Sequence, residues 1–225
     1  MNKTLTTRAS RLITVVIAFI LVVLPFHEFL TTWLGSNFGH LDLFRVWKEI
    51  VLVLLIFPTS YLVLKKKQLL SFLIRDKLTI LIVIFGIICL VIGIWGYETK
   101  SVNAAALSAG LIIDLRFFLI FLICLVITCY NDFFKKYWKQ LLLIPALLVI
   151  VFGIAQIFLP LNFLSHFGYG ANTIPAYQTI DQNLRFHRIQ STLRGADPLG
   201  AYLILIAPVP LFFITKRLWQ RITII

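Results

Sequence analysis

A chain of 225 residues that is 60% hydrophobic and only 13% charged, with mean hydropathy +0.95, carries more apolar surface than one globular core can hide. That excludes a water-soluble domain and makes lipid its solvent. The net charge of +12 does not point to nucleic acid, because the basic residues stand in short clusters between apolar runs and are not gathered on one polar face.

A helix needs about 20 apolar residues to cross about 30 Å of hydrocarbon. The first run, 12–29, follows Lys3, Arg8 and Arg11 and ends in Pro25-Phe26-His27-Glu28 with no small-x-small cleavage site, so it reads as an uncleaved anchor. Further runs follow at 46–64, 78–95, 104–130 and 141–159. The sixth, 199–214, is short at 16 residues, and Pro208 and Pro210 predict a kink in it. Another apolar stretch opens at Ile222 and stops at Ile225, which reads as the start of a helix in a longer protein. The expected fold class is all-α: a polytopic transmembrane helical bundle of about six membrane helices, forming a single transmembrane domain over 1–225.

Orientation follows from the basic residues. With the N-terminus in the cytoplasm, the inside segments hold Lys3, Arg8 and Arg11; Lys65, Lys66, Lys67, Arg75 and Lys77; Lys135, Lys136 and Lys139; and Lys216, Arg217 and Arg221. That is 14 of the 21 basic residues, against Asp76 and Asp132 alone of the nine acids. The expected location is the cytoplasmic membrane, crossed several times. The Lys65–Lys67 cluster serves as an orientation signal and a contact for anionic lipid. Three segments then face outward, 30–45, 97–103 and 160–196, the last being a long extracytoplasmic loop of 37 residues in which Gly168, Gly170, Asn172 and Pro175 mark turns.

Cys89, Cys124 and Cys129 lie in or beside apolar runs and read as small buried hydrophobes. His27, His40, His166 and His187 are scattered without metal-ligand spacing, so neither a metal nor a cofactor is expected. Gln156, deep in the fifth run, reads as an interhelical hydrogen-bond former. Trp47-Lys48-Glu49 at the start of the second run reads as an interface anchor, with a ligand contact through Lys48 as the alternative.

Two groups of charges stand out. Arg185, Arg188 and Arg194 fall within ten residues on the side that the orientation disfavours. A guanidinium offers a fixed fork of donors that matches phosphate and keeps its charge at any working pH. Asp197-Pro198 reads as an N-cap with proline at the first helical position, so a helix would begin there with its positive dipole end facing the same surface. These arginines fit a pyrophosphate cradle, or equally a solvated loop touching ordinary headgroups. Asp114 and Arg116 sit inside the fourth run, where a charge costs about 2.5–3.5 kcal/mol. Two residues apart on a helix they point about 200° away from each other, so each should find a partner on another helix or face a polar cavity, unless it snorkels to the interface.

The stretch Arg188-Ile189-Gln190-Ser191-Thr192-Leu193-Arg194-Gly195-Ala196-Asp197-Pro198-Leu199-Gly200-Ala201-Tyr202 resembles the opening signature of the O-antigen ligase/polymerase family. The Trp47-Lys48-Glu49 and Leu115-Arg116-Phe117-Phe118 elements agree with it. The resemblance implies a helical membrane glycosyltransferase that moves glycan from an undecaprenyl-pyrophosphate carrier to a glycan or lipid acceptor on the outer face of the membrane. It implies that Arg188 contacts the carrier's diphosphate and that Arg116 matches a more loosely kept basic position. On the charge pattern, Arg185 and Arg194 join them in binding the diphosphate, with Asp197, Asp114, Lys48 and His187 in support. The chain departs from the family where Ala196-Asp197 replaces a Pro-Asn pair, since an ionised Asp197 repels a diphosphate unless an arginine such as Arg194 offsets it. The family's catalytic histidine belongs to an outer loop that would fall beyond Ile225, so 188–225 reads as the start of the signature region and no catalytic residue is assigned here. Two other classes remain open: a transporter or permease for a lipid-linked or anionic solute, and a non-catalytic membrane partner protein.

Overall fold

The computed structural model describes residues 3–181 and 183–211. Their contacts divide the chain into two compact units, Met1–Ile17 with Trp47–Lys136 and Ala18–Val46 with Tyr137–Ile225. Among the described residues, five helical runs are long and apolar enough to cross a membrane: Leu5–Phe38, Leu41–Lys65, Lys77–Glu98, Ala104–Thr128 and Phe133–Phe158. The chain is a multi-pass, all-α membrane protein. Where a sixth span is expected, the described residues hold only a shorter apolar helix, Ala196–Leu211, which is not among the five long enough to cross. Residues 212–214 of that run, the basic residues 216, 217 and 221, and the stretch from Ile222 lie outside the described residues.

α1 (Lys3–Val23) passes through a tight 3-10 turn at Leu24–Phe26, where Pro25 is accepted because a first helical turn has no partner for its missing N–H, and continues as α2 (His27–Phe38). The segment 30–45 is therefore almost wholly helical. Its residues 30–38 are helical, α3 (Leu41–Lys65) starts five residues before the apolar run does, and the connection is Gly39 (φ 73) and His40 (φ 54). Thr31 Oγ1 ties the corner by donating to the Phe44 carbonyl at 3.1 Å. Thirty-four residues rising about 1.5 Å each exceed what one crossing needs, so hydropathy sees the apolar middle of this run and misses its more polar end.

In the first unit, α4 (Lys67–Arg75) joins α3 to α5 (Lys77–Glu98). Asp76 ends the one and caps the other: its carboxylate accepts from the Thr79 amide and hydroxyl, both at 2.8 Å. Asn103 caps α6 (Ala104–Thr128) by accepting from the Ala106 amide at 2.8 Å. α5 and α6 pack as a hairpin, with Phe85 and Phe118 ring centroids 4.9 Å apart. Leu81, Ile84, Ile87 and Leu90 remain exposed over most of the circumference of α5, the pattern of a helix solvated by lipid.

α7 (Phe133–Phe158) starts eight residues before its apolar run, so Lys135, Lys136 and Lys139 sit on a helix and not in a loop. In the second unit the long connection after α7 contains a two-stranded antiparallel hairpin, β1 (Gln178–Ile180) and β2 (Asn183–Arg188), with Gln178 opposite Arg188 and Thr179 opposite His187. α8 (Ala196–Ile206) follows. Leu164, Tyr169 and Ile174 form a small core against Phe29, Phe152, Phe163, Phe167 and Ala176. Gly168 (φ 81) makes this possible, because a Cβ there would lie 2.0 Å from Ser36 Oγ. Burial first, and the Glu28 carboxylate second, push the Tyr169 hydroxyl above the usual tyrosine range.

Candidate functional site

The arginine-bearing segment is fastened by three uncharged residues between its arginines. Gln190, Ser191 and Thr192 are 1%, 0% and 6% exposed. Gln190 Nε2 donates to the carbonyls of Pro175 (3.1 Å) and Ala176 (3.2 Å), which holds the segment to its own loop. The Ser191 amide donates to Gln156 Oε1 at 2.7 Å and its hydroxyl to the Val149 carbonyl at 2.6 Å, which fixes it to α7. Thr192 Oγ1 donates to the Pro25 carbonyl at 2.9 Å. Ser191 holds a left-handed backbone (φ 52) that a non-glycine residue keeps only where its surroundings over-determine it, as these bonds do. Gln156 is a hydrogen-bond former, as expected, but its partner is a loop amide and not another helix. Gln156→Leu leaves the buried Ser191 amide without an acceptor and is expected to cost about 1–3 kcal/mol in thermal unfolding of the solubilised protein, whereas Gln156→Glu keeps an acceptor and should cost less.

This clamp holds one exposed arginine on each side of it. Arg188, at the end of β2, is 45% exposed, and its Nη1 lies 3.6 Å from Asp197 Oδ1, itself 91% exposed. Such a pair contributes about 0–1 kcal/mol, so a phosphate can displace the carboxylate at little cost. Arg194 is exposed and has no side-chain partner among the described residues. Arg185 stands on β2, but its side chain lies outside the described residues. His187 is half-buried and shares with Arg188, Gln156 and Gln190 a crevice of about 20 Å³, room for roughly one water. A large anion would therefore lie on the surface against the two guanidiniums and not in a deep pocket.

Asp197 is not the N-cap. Gly195 takes that place with an extended backbone, α8 starts at Ala196, and Asp197 lies in its first turn, where its charge suits the helix dipole and its carboxylate turns toward Arg188. The arginine that faces Asp197 is thus Arg188, where Arg194 is the one expected. Gly195 also admits the Gln178 side chain from β1, whose Nε2 would be 3.0 Å from an added Cβ. Gly195 has no side chain with which to cap α8, and Pro198 brings no N–H to its first turn, so the amides of Ala196 and Asp197 are the donors at its positive end.

The other charges form a separate group in the first unit. Arg116 Nη1 lies 2.9 Å from Glu49 Oε1 on α3, and Lys48 Nζ lies 3.8 Å from the same oxygen. The side chains of Lys48, Glu49 and Arg116 are 12%, 15% and 27% exposed. Beside them is a cavity of about 320 Å³ lined by Leu52, Val53, Leu111, Ile112, Leu115 and Leu119. Glu49 Oε2 and Arg116 Nε are buried without a hydrogen-bond partner among the described residues. Lys48 and Glu49 thus lie two turns inside α3 and not at its entry. Arg116 finds a partner on another helix, as a charge in a membrane span requires. Asp114 does not: it is exposed and makes no ion pair or hydrogen bond among the described residues.

No family model matches the chain, and no curated protein or solved structure shows significant similarity to it.

Proposed function

We propose that this protein is a membrane glycosyltransferase of the O-antigen ligase/polymerase type, transferring glycan from a polyprenyl-diphosphate carrier to a glycan or lipid acceptor. In this reading transfer takes place on the outer face of the cytoplasmic membrane, and the N-terminus is cytoplasmic. The observation that carries the proposal is the pair of exposed arginines, Arg188 and Arg194, flanking the buried Gln190-Ser191-Thr192 clamp beside the start of α8. When an acceptor hydroxyl attacks the anomeric carbon, the bond from that carbon to the diphosphate oxygen breaks, and the carrier leaves with an added negative charge. Two guanidiniums carried on a fastened backbone, with a helix N-terminus beside them, stabilise that charge where it develops. The proton of the acceptor hydroxyl must pass to a base, a role that no residue of this chain is assigned.

Vesicles carrying the protein and supplied with a labelled glycan on a polyprenyl diphosphate test the proposal. The donor should bind through its diphosphate, and in the protein that also carries the family's outer-loop histidine labelled glycan should appear on the acceptor, with one polyprenyl diphosphate released per transfer. The rival reading as a transporter draws on the Lys48, Glu49 and Arg116 cluster beside its cavity. Movement of the intact donor across the bilayer, with no new glycosidic bond, would support that reading and refute transfer.

A further inference from the structure

Between α3 and α5 the chain forms α4, broken from each neighbour by a single non-helical residue, Lys66 and Asp76. At about 100° per residue, Gln68, Ser71 and Arg75 share one arc of α4, and Leu69, Leu70, Phe72, Leu73 and Ile74 occupy the remainder. The middle of the apolar arc packs on the protein, with Leu69 3% exposed and Leu73 half-buried. Both flanks of that arc stay open: Phe72 is 46% exposed on one side, Leu70 41% and Ile74 65% on the other.

A helix that joins two membrane spans through one-residue breaks sits where those spans end, at the level of the lipid headgroups. Its charge is one-sided. Residues 65–77 carry Lys65, Lys66, Lys67, Arg75 and Lys77 against the one acid Asp76, whose carboxylate is committed to the Thr79 amide and hydroxyl. Lys66 is engaged inside the unit, 3.5 Å from the Cys129 carbonyl and over the Tyr130 ring, and Lys65 lies over the Tyr61 ring. Arg75 and Lys77 are exposed with no side-chain partner among the described residues.

We infer that α4 is an in-plane amphipathic helix that docks on an anionic phospholipid surface. Phe72, Leu70 and Ile74 enter the boundary between headgroups and acyl chains, and Arg75 and Lys77, with Lys65, meet the phosphates. Apolar flanks on both sides of a helix already seated on its protein suit a fluid, two-sided environment, and the unopposed positive charge selects an acidic one. This inference is independent of the glycosyl-transfer proposal.

The test uses the full chain with Cys89, Cys124 and Cys129 replaced by alanine, in vesicles of phosphatidylcholine with phosphatidylglycerol, and a nitroxide on Phe72→Cys or on Ser71→Cys. The label at 72 should collide with oxygen in preference to a water-soluble nickel chelate, at a depth of about 5–10 Å below the headgroups, and the label at 71 should do the reverse. Spin-labelled phosphatidylglycerol should be immobilised in preference to phosphatidylcholine, and K65Q/R75Q/K77Q should cut that preference about fivefold or more, the factor of one engaged basic side chain. Equal aqueous exposure at 71 and 72 would overturn the inference. So would shielding of 72 from both oxygen and nickel, as a protein partner would give, or the absence of any phosphatidylglycerol preference in the parent protein.

Discussion

Replacing Arg188 with alanine is expected to weaken binding of a polyprenyl diphosphate by about 10- to 150-fold while the protein still inserts and folds. The range is that of one hydrogen-bonded contact to a charged group, about 1.5–3 kcal/mol. Because Arg188 is 45% exposed, solvent screening places the expected loss toward the lower end. The fold should survive because Gln190, Ser191 and Thr192 fasten the segment through bonds that do not involve Arg188. Arg188→Lys keeps the charge but loses the two-pronged donor geometry, and an intermediate loss is expected. Equilibrium binding to the reconstituted protein measures all three forms. Unchanged affinity in a normally inserted Arg188→Ala protein would remove the diphosphate from this site.

The largest effect on stability is expected from Glu49→Leu. It strips the counter-charge from Arg116 and leaves two cations, Arg116 and Lys48, together beside an apolar cavity. Breaking a buried pair by removing one partner costs about 3–5 kcal/mol, because the remaining charge is neither solvated nor paired. Exposures of 15% for Glu49 and 27% for Arg116 place the expectation near the low end of that range. Combining Glu49→Leu with Arg116→Met should restore most of the loss, since apolar replacement of both partners is often neutral or stabilising. Unfolding of the single and double variants in one detergent decides the matter. A single-variant cost within the roughly 0.5 kcal/mol of an ordinary surface change would show that the pair is hydrated and bears little on stability.

The spans were legible because the signal that reveals them, a long apolar run, is also the physical cause of insertion; α5 and α6 start and end within a few residues of their runs. Elements whose stability comes from elsewhere were not legible. Most of α2 falls in the segment expected to lie beyond the first span, because Gly35, Ser36 and Asn37 interrupt its apolar pattern, yet the Thr31 bond to Phe44 and the close fit of Gly168 against Ser36 hold it as a helix. α4 is too short to register as a span, and its amphipathic arc lies hidden between basic clusters. The cap of α8 was misplaced by two residues because aspartate before proline imitates an N-cap, while Gly195 fills the position without a side-chain bond. At the site, the arginines announced themselves by charge, but the clamp between them did not. An uncharged Gln-Ser-Thr triplet has no distinctive chemistry until burial shows every one of its side chains bonded. Three uncharged polar residues enclosed by arginines, just before a helix, were the available clue.

The central claim, that Arg188 and Arg194 together grip the diphosphate of a lipid carrier, is tested most directly by arginine-specific chemical modification mapped by mass spectrometry. In the reconstituted protein both guanidiniums should react freely, as their exposure requires. Addition of a polyprenyl diphosphate should protect both in parallel, and an equal concentration of a neutral polyprenol should protect neither. Unaltered reaction of Arg188 and Arg194 at saturating diphosphate would contradict the account.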